Sequence, residues 1–205
     1  MKERSSWRTY KNERLGEEDR HCIEECIEKD HEAPFGNMSR FKLVDNFSDD
    51  GRIGTYGFIR GAQHYIVGAV GESPMGVEDY GYVLEKIIFF AIGLGLGICW
   101  LSGTFTRKAV IDALGLVGDE FVPASPVGYK QDRGLVDKAI RWKAGSRNRK
   151  PWSYLFFEGF FDSPLSRGDD GVYAQALEMV RIAPSASNGQ GWRLVLDDDA
   201  VLLSC

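Results

Sequence analysis

The chain has 205 residues, 43% of them hydrophobic, and carries 25 Lys and Arg against 30 Asp and Glu, a net charge of -5. This composition excludes a disordered chain, and the length suffices to bury a core as one domain. The negative charge argues against nucleic acid as the main partner. Four cysteines and three histidines lack the spacing of a metal or redox site. We therefore expect no metal, and reduced, packed thiols in a cytoplasmic protein.

Membrane insertion is also not expected. The longest apolar run, residues 87–101, is shorter than the roughly 18–20 residues that a membrane span needs and contains three glycines. The N-terminus is polar from its first residues, which predicts that no signal peptide is present. We expect the apolar run to form a buried helix.

The first motif lies at residues 4–10, where Arg4, Ser6 and Arg8 are each two positions apart. On a helix or turn this spacing would place both arginines on one face, where their guanidinium groups can hold a phosphate. A solvated surface explains an N-terminal Arg pair equally well. The pattern alone leaves both interpretations open.

Apolar periodicity predicts most of the secondary structure. Helices are expected at residues 17–30, 80–97 and 106–116, a short charged helix at 133–143, and strands at 62–70 and 192–196. A turn of three aspartates predicts a hairpin with residues 201–205. The glycine-rich residues 93–97 lie at the end of a predicted helix. The glycines of a dinucleotide-binding motif instead follow a strand and precede a helix, so this motif is not indicated. We therefore interpret these glycines as a helix end.

One pattern occurs twice. Residues 33–44 and 183–195 both follow a predicted helix, and both read Ala-Pro, then Asn, then an aromatic residue, a base, Leu and Val. The first copy lacks the polar set of the second and has Phe35 and Met38 instead. We predict a single domain over 1–205, with a first half at 1–161 and a second helix–loop–strand copy at 171–205.

The second loop places four hydrogen-bonding side chains in a few residues: Ser185, Ser187, Asn188 and Gln190. Two intervening glycines would let the backbone approach a ligand. The same residue types are also those of any tight turn. Residues 146–151, the densest basic cluster, include Arg147 and Arg149 and are likewise either solvated or an anion site.

These motifs resemble those of the FMN-dependent nitroreductase family. Pro184-Ser185-x-x-Asn188-x-Gln190-x-Trp192 after a helix resembles its flavin-side loop, although the family usually has Pro in place of Gly191. Residues 4–10 resemble its phosphate-side motif, and residues 147–151 its late segment at the FMN phosphate. Residues 95–103 resemble its Gly-Leu-Gly-x-x-Trp segment, which runs beside the isoalloxazine.

The resemblance implies FMN as cofactor and a set of binding residues, namely Arg4, Ser6, Arg8, Ser102, Gly103, Arg147, Arg149, Pro184, Ser185, Ser187, Asn188 and Gln190. Backbone N–H groups near Ser102 and Gly103 would donate toward flavin N5 and O4 and stabilise the reduced flavin. No arrangement of acid, base and nucleophile stands out, so we predict no catalytic side chain.

The resemblance further implies an α+β fold, with a mixed, mainly antiparallel sheet flanked by helices. Internal duplication would imitate the family's homodimer, so that a monomer suffices for one site and further oligomerisation stays open. NADH or NADPH would reduce the flavin, which would then reduce a small organic acceptor in a ping-pong cycle. The alternative is a flavin-binding or flavin-less module without turnover, because the first loop has lost its polar residues.

Overall fold

The computed structural model describes residues 4–29, 31–46, 53–103, 105–115, 123–132, 134, 138–139, 142, 145, 148–168, 171–197 and 200–204. The chain divides into two compact units, an N-terminal unit of Arg4–Asp137 and a C-terminal unit that contains Lys138–Cys205. The charged helix expected at 133–143 lies largely outside the described residues. Lys138, Ala139 and Trp142 are described there and are helical.

In its described residues, the N-terminal unit forms a four-stranded antiparallel sheet with three helices. Its elements are α1 (Glu17–Glu28), β1 (Arg40–Asp45), β2 (His64–Ala69), α2 (Gly76–Gly93), β3 (Gly97–Ile98), α3 (Arg107–Leu114) and β4 (Ala124–Gly128). The strand order is β1-β2-β4-β3, and each neighbouring pair is antiparallel. The three predicted helices are confirmed, although α2 begins four residues before the predicted position.

Strand β2 is the centre of this unit because both of its faces are covered. Tyr65 and Val67 belong to a core cluster that includes Val110 of α3. Ile66 points into a second cluster, which includes Ile87 of α2. A strand buried on both faces reads as a continuous apolar run rather than as an alternating one. This is why residues 62–70 could be recognised as a buried strand.

The apolar helix α2 ends at the glycines, as predicted. Gly95 has a φ of +81°, a conformation that costs glycine little. Its N–H donates to the Ile92 carbonyl at 2.9 Å, and the Leu96 N–H donates to the Ala91 carbonyl at 3.0 Å. This pair of bonds is the Schellman arrangement that satisfies the last carbonyls of a helix. The glycine run therefore closes α2. In the described part of the chain, no helix has the length and apolar character needed to cross a membrane.

The C-terminal unit is a smaller mixed sheet with its own core. Its elements are α4 (Trp152–Leu155), β5 (Phe156–Glu158), α5 (Ala174–Arg181), β6 (Arg193–Asp197) and β7 (Ala200–Ser204). Strand β6 lies between a parallel β5 and an antiparallel β7. The core contains Phe156, Leu177 and Leu194. The α+β class is confirmed, but among the described residues the mixed pairing belongs to this second sheet and not to one continuous sheet.

His64 links three segments of the N-terminal unit. Its side chain is 1% exposed, and its Nε2 accepts a hydrogen bond from the Leu15 N–H at 3.0 Å. Nδ1 therefore carries the proton and donates to Asp45 Oδ1 at 2.8 Å, an oxygen that Arg20 Nη1 also contacts at 2.8 Å. Burial lowers the pKa of His64 and outweighs the opposite effect of Asp45. The folded state therefore favours the neutral form of the His64 ring.

We expect the free energy of unfolding to fall as the pH drops below about 6.5, the ordinary pKa of histidine. Below this value His64 takes up a proton in the unfolded chain before it does so in the folded one, which favours unfolding. Urea unfolding at pH 7 and pH 5 measures how much the free energy of unfolding changes with pH. This pH dependence should be weaker in His64→Gln and should keep its wild-type slope in His21→Gln, whose side chain is exposed. A wild-type slope in His64→Gln would contradict the assignment.

Candidate functional site

The predicted site residues fall into two groups, one in each unit. The N-terminal unit contains Arg4, Ser6, Arg8, Ser102 and Gly103, and the C-terminal unit contains Arg149, Pro184, Ser185, Ser187, Asn188 and Gln190. Arg147 lies outside the described residues. That both groups contact one ligand stays a prediction.

Residues 4–10 do not form the helix or turn that their spacing suggested. The segment is extended, because its main chain pairs with β3 and with residue 60. The Trp7 N–H donates to the Ile98 carbonyl at 2.7 Å, and the Arg60 N–H donates to the Arg8 carbonyl at 2.9 Å. Every second residue of an extended chain points to the same side. The spacing of the two arginines therefore still suits a shared face, but with the period of a strand.

Arg4 already faces a carboxylate. Its Nε lies 3.8 Å from Glu85 Oε1, with the two side chains 6% and 19% exposed. The other carboxylate oxygen accepts a hydrogen bond from Trp100 Nε1 at 2.7 Å. Glu85 thus links residues 4–10 to residues 95–103, which resemble the family's segment beside the isoalloxazine. Sequence reasoning missed Glu85, because it reads as one more charged residue on a helix.

Ser102 and Gly103 are exposed directly after a paired residue. Leu101 and Ala124 exchange two backbone hydrogen bonds, of 2.8 and 2.9 Å. A Cβ added at Gly103 would meet nothing within 4 Å. The backbone here is accessible and is held on one side by a fixed pair.

The loop between α5 and β6 has an unusual backbone. Ser187, Asn188 and Gln190 have φ values of +50°, +59° and +47°. Residues other than glycine rarely adopt this left-handed region, and each such residue costs on the order of 1–3 kcal/mol. The surrounding structure must offset this cost.

Asn188 connects the loop to the basic segment. Its Oδ1 accepts a hydrogen bond from Arg149 Nη1. Its Nδ2 donates to the carbonyls of Gly145 and Asn148, both at 2.9 Å. Arg149 also donates from Nη2 to the Ile182 carbonyl at 3.1 Å. The side-chain amide of Asn188 therefore holds Gly145, Asn148 and Arg149 against the loop.

Gln190 makes the second connection and is 3% exposed. Its Oε1 accepts the Lys150 N–H at 2.9 Å, and its Nε2 donates to the Asn148 and Asn188 carbonyls at 3.3 and 3.2 Å. Its own N–H donates to Ser185 Oγ at 3.0 Å. The side chains of Ser185, Asn188 and Gln190 are thus engaged within the protein, and their part in ligand binding stays a prediction.

The first loop is held in a different way. Asp79 is fully buried at the start of α2 and accepts hydrogen bonds from the Phe35 N–H at 2.9 Å and the Asn37 N–H at 2.7 Å. Asn37 Nδ2 donates to the same carboxylate at 2.9 Å. Each loop therefore anchors its asparagine on a charged side chain, an acid in one and an arginine in the other. Internal duplication itself stays a prediction.

The metal-binding residue types are not clustered in the part of the chain that is described. Within it, no group of three or more His, Cys, Asp and Glu side chains is placed to hold a metal ion. The described cysteines, Cys22, Cys26 and Cys99, do not form disulfide bonds.

Comparisons with known proteins give a consistent result. A family model described as "Putative TM nitroreductase" matches residues 1–204. The structure is similar to that of a "putative nitroreductase" from Thermotoga maritima, with a TM-score of 0.61 and 19% identity over 99% of this chain and 72% of that chain. No curated protein sequence matches this chain.

Two further solved structures share part of the fold. An FMN-dependent nitroreductase from Clostridium difficile has a TM-score of 0.51 and 22% identity, over 65% of this chain and 87% of that chain. A "putative nitroreductase" from Desulfovibrio desulfuricans, solved in complex with FMN, has a TM-score of 0.50 and 22% identity, over 67% and 91%. Identities at this level show a common fold.

Proposed function

The chain belongs to the nitroreductase family, whose model matches residues 1–204, and we propose that it is an FMN-dependent oxidoreductase that uses NADH or NADPH to reduce a small organic acceptor. Of the two structural neighbours that share part of the fold, one is an FMN-dependent nitroreductase and the other was solved in complex with FMN. When bound, this cofactor supplies the electron-transfer chemistry, while the protein supplies binding, orientation and electrostatics. No catalytic side chain is needed for this reaction class.

One observation carries the proposal. The resemblance to the family assigned residues 183–195 and residues 147–151 to the same cofactor through two separate motifs. In the C-terminal unit these two segments are hydrogen-bonded to one another, through Arg149 with Asn188 and through Lys150 with Gln190. A binding loop and a phosphate-binding segment must be adjacent if they hold one flavin. The donor set also fits, because guanidinium groups suit a phosphate.

In the N-terminal unit we propose different duties for the two arginines. The main-chain hydrogen bond from Arg60 fixes Arg8 within this segment, and we propose that its guanidinium is a phosphate ligand. The Arg4 side chain forms an ion pair with Glu85. Its proposed first role is therefore to position residues 4–10. The backbone N–H groups of Ser102 and Gly103, which are exposed residues, are the proposed donors to the flavin ring. Such donors stabilise negative charge on the ring of the reduced cofactor.

A second candidate is a flavin-binding protein without turnover. It is favoured by the engagement of Asn188 and Gln190 within the protein, and by Gly191 where the family usually has Pro. The two candidates can be distinguished by mixing purified protein with FMN, adding NADH or NADPH, and measuring the absorbance of the flavin. Loss of the oxidised-flavin absorbance supports the enzyme, and flavin that binds but stays oxidised supports the second candidate. Protein that binds no FMN contradicts both.

We expect Arg8→Ala to weaken FMN binding by about tenfold to a hundredfold, the loss of one hydrogen bond to a charged group. Riboflavin, which lacks the phosphate, should bind the variant and the wild type equally. Flavin fluorescence titrations measure both affinities. The control is Lys108→Ala, which removes an exposed cation paired with Asp112 and should change neither. An equal loss of riboflavin affinity in Arg8→Ala would show that Arg8 acts on the fold and not on the phosphate.

A further inference from the structure

Glu85 is held in a fixed position because its helix belongs to the core of the N-terminal unit. Leu84 and Ile88 of the same helix, α2, are fully buried, and the Glu85 side chain is itself mostly buried. Burying a charge costs free energy unless the charge is paired and hydrogen-bonded. A carboxylate at this position of a rigid helix therefore depends on its contacts.

The two oxygens of this carboxylate have different partners. Oε2 accepts a hydrogen bond from Trp100 Nε1 at 2.7 Å, a length typical of a charge-assisted bond. Oε1 lies 3.8 Å from Arg4 Nε and makes no hydrogen bond within the described part of the chain. Because the Arg4 side chain is only 6% exposed, this ion pair is screened less than one at the surface. One carboxylate thus restrains side chains from two segments that are far apart in sequence.

The main chains of these two segments also meet, at a point between the two side chains. Ser6 forms a parallel bridge with Ile98. Arg4 comes two residues before this bridge, and Trp100 comes two residues after it. Glu85 therefore adds a side-chain connection to a backbone connection, and two connections restrict a rotation that one would allow.

Trp100 leads directly to the residues proposed to donate to the flavin ring. Leu101 and Ala124 exchange two backbone hydrogen bonds, and the exposed residues Ser102 and Gly103 follow. The position of the Trp100 side chain thus bears on the point from which these donors extend. Arg4, at the other contact of the carboxylate, begins the segment that carries the phosphate-side motif.

We propose that Glu85 is a positioning residue of the flavin site, which fixes residues 4–10 and residues 95–103 relative to each other through Arg4 and Trp100. This step rests on the proposed function, in which the first segment contacts the phosphate and the second contacts the ring. A displacement of about 1 Å within a site can cost on the order of a hundredfold in rate. Supporting side chains on rigid elements prevent such displacements.

A set of variants separates the two contacts of Glu85. Glu85→Gln keeps an oxygen that can accept the Trp100 N–H but removes the charge that attracts Arg4. Trp100→Phe keeps an aromatic ring without the N–H, and Arg4→Met removes the cation. The pair variant Arg4→Met/Glu85→Leu removes both charges together, because a buried charge left without its partner would destabilise the fold. The control is Glu78→Gln, at an exposed position of the same helix.

The first measurement is a double-mutant cycle on the full chain without flavin. Arg4→Met and Trp100→Phe are combined, and urea unfolding gives the equilibrium constant of unfolding for each variant. If Glu85 connects the two side chains, the double variant should differ from the product of the single effects by about threefold or more. With Glu85→Gln present, which already breaks the Arg4 contact, the two effects should become additive.

The second measurement follows the flavin. The pair variant should bind both FMN and riboflavin about tenfold more weakly, in contrast to Arg8→Ala, which should spare riboflavin. Because the ring donors stabilise the reduced flavin, the reduced form should lose about tenfold more affinity than the oxidised form. For two electrons this lowers the midpoint potential of bound FMN by about 30 mV. The pair variant keeps the net charge of the chain, so an altered total charge cannot cause this shift, and Glu78→Gln should keep the wild-type potential.

Additive effects of Arg4→Met and Trp100→Phe in the wild-type background would overturn the proposal. Coupling of the two side chains with unchanged flavin affinities and an unchanged potential in the pair variant would also overturn it, because Glu85 would then act on the fold alone. Failure of the proposed function is a separate result. If the wild type binds no FMN, the cycle still decides whether Glu85 positions the two segments, since it is measured without flavin.

Discussion

Gly61→Ala is expected to lower the free energy of unfolding of the N-terminal unit by on the order of 3 kcal/mol, from left-handed strain and a backbone clash together. Gly61 has a φ of +78°, and a Cβ added there would lie 2.2 Å from the Tyr10 carbonyl oxygen. That oxygen belongs to a fixed backbone, since Tyr10 is 1% exposed and its N–H donates to the Arg60 carbonyl at 2.8 Å. The clash cannot be relieved by turning a side chain.

The control is Gly57→Ala. Gly57 has a nearly equal φ of +80°, but an added Cβ meets nothing within 4 Å. This variant should show the conformational cost alone, about 1–2 kcal/mol. Urea unfolding at pH 7 compares the two variants. Equal losses would show that residues 4–10 are not packed on Gly61 as described. Because the same contact holds the segment that carries Arg8, Gly61→Ala should also weaken FMN binding.

Local patterns were sufficient to predict most elements of the fold. The acidic first turn and the apolar stripe with Ile23 and Cys26 identified α1, and the glycine run marked the end of α2. Strand β2 could be recognised because a run covered on both faces has no polar alternation. Each of these signals lies within one segment of the chain. The conformation of residues 4–10 was not predicted correctly, because it depends on pairing with β3 and Arg60, which are remote in sequence.

The candidate site was predictable as segments but not as contacts. The motifs correctly separated a loop after α5 and a basic segment before α4. They could not show that Asn188 and Gln190 bind that basic segment, because side-chain partners far apart in sequence leave no periodic signal. Glu85 was missed for the same reason, as its partners Arg4 and Trp100 are set by folding. The structure therefore shows that the amide residues support the loop, and their contact with a ligand stays a prediction.

Gln190→Ala is expected to destabilise the C-terminal unit by about 2–4 kcal/mol, because a buried hydrogen-bonding group loses its partner at a cost of about 1–3 kcal/mol each time. The side chain of Gln190 accepts the Lys150 N–H and donates to the Asn148 carbonyl. Alanine offers neither group and leaves a small cavity. The left-handed backbone at position 190 would then lack the bonds that offset its strain. Ser187→Ala, at an exposed position of the same loop, should change stability by less than about 0.5 kcal/mol.

Hydrogen exchange locates the effect. The Lys150 amide should lose protection in Gln190→Ala, because its acceptor is gone. The Leu165 amide, which donates to the Phe156 carbonyl at 2.9 Å in the core of the same unit, should remain protected. This combination would show that the loop and the basic segment separate while the sheet persists. FMN affinity should then fall although no predicted cation has been changed, because the two segments no longer hold one arrangement. If Lys150 keeps its protection, Gln190 does not support the loop, and the observation that carries the proposed function loses one of its two connections.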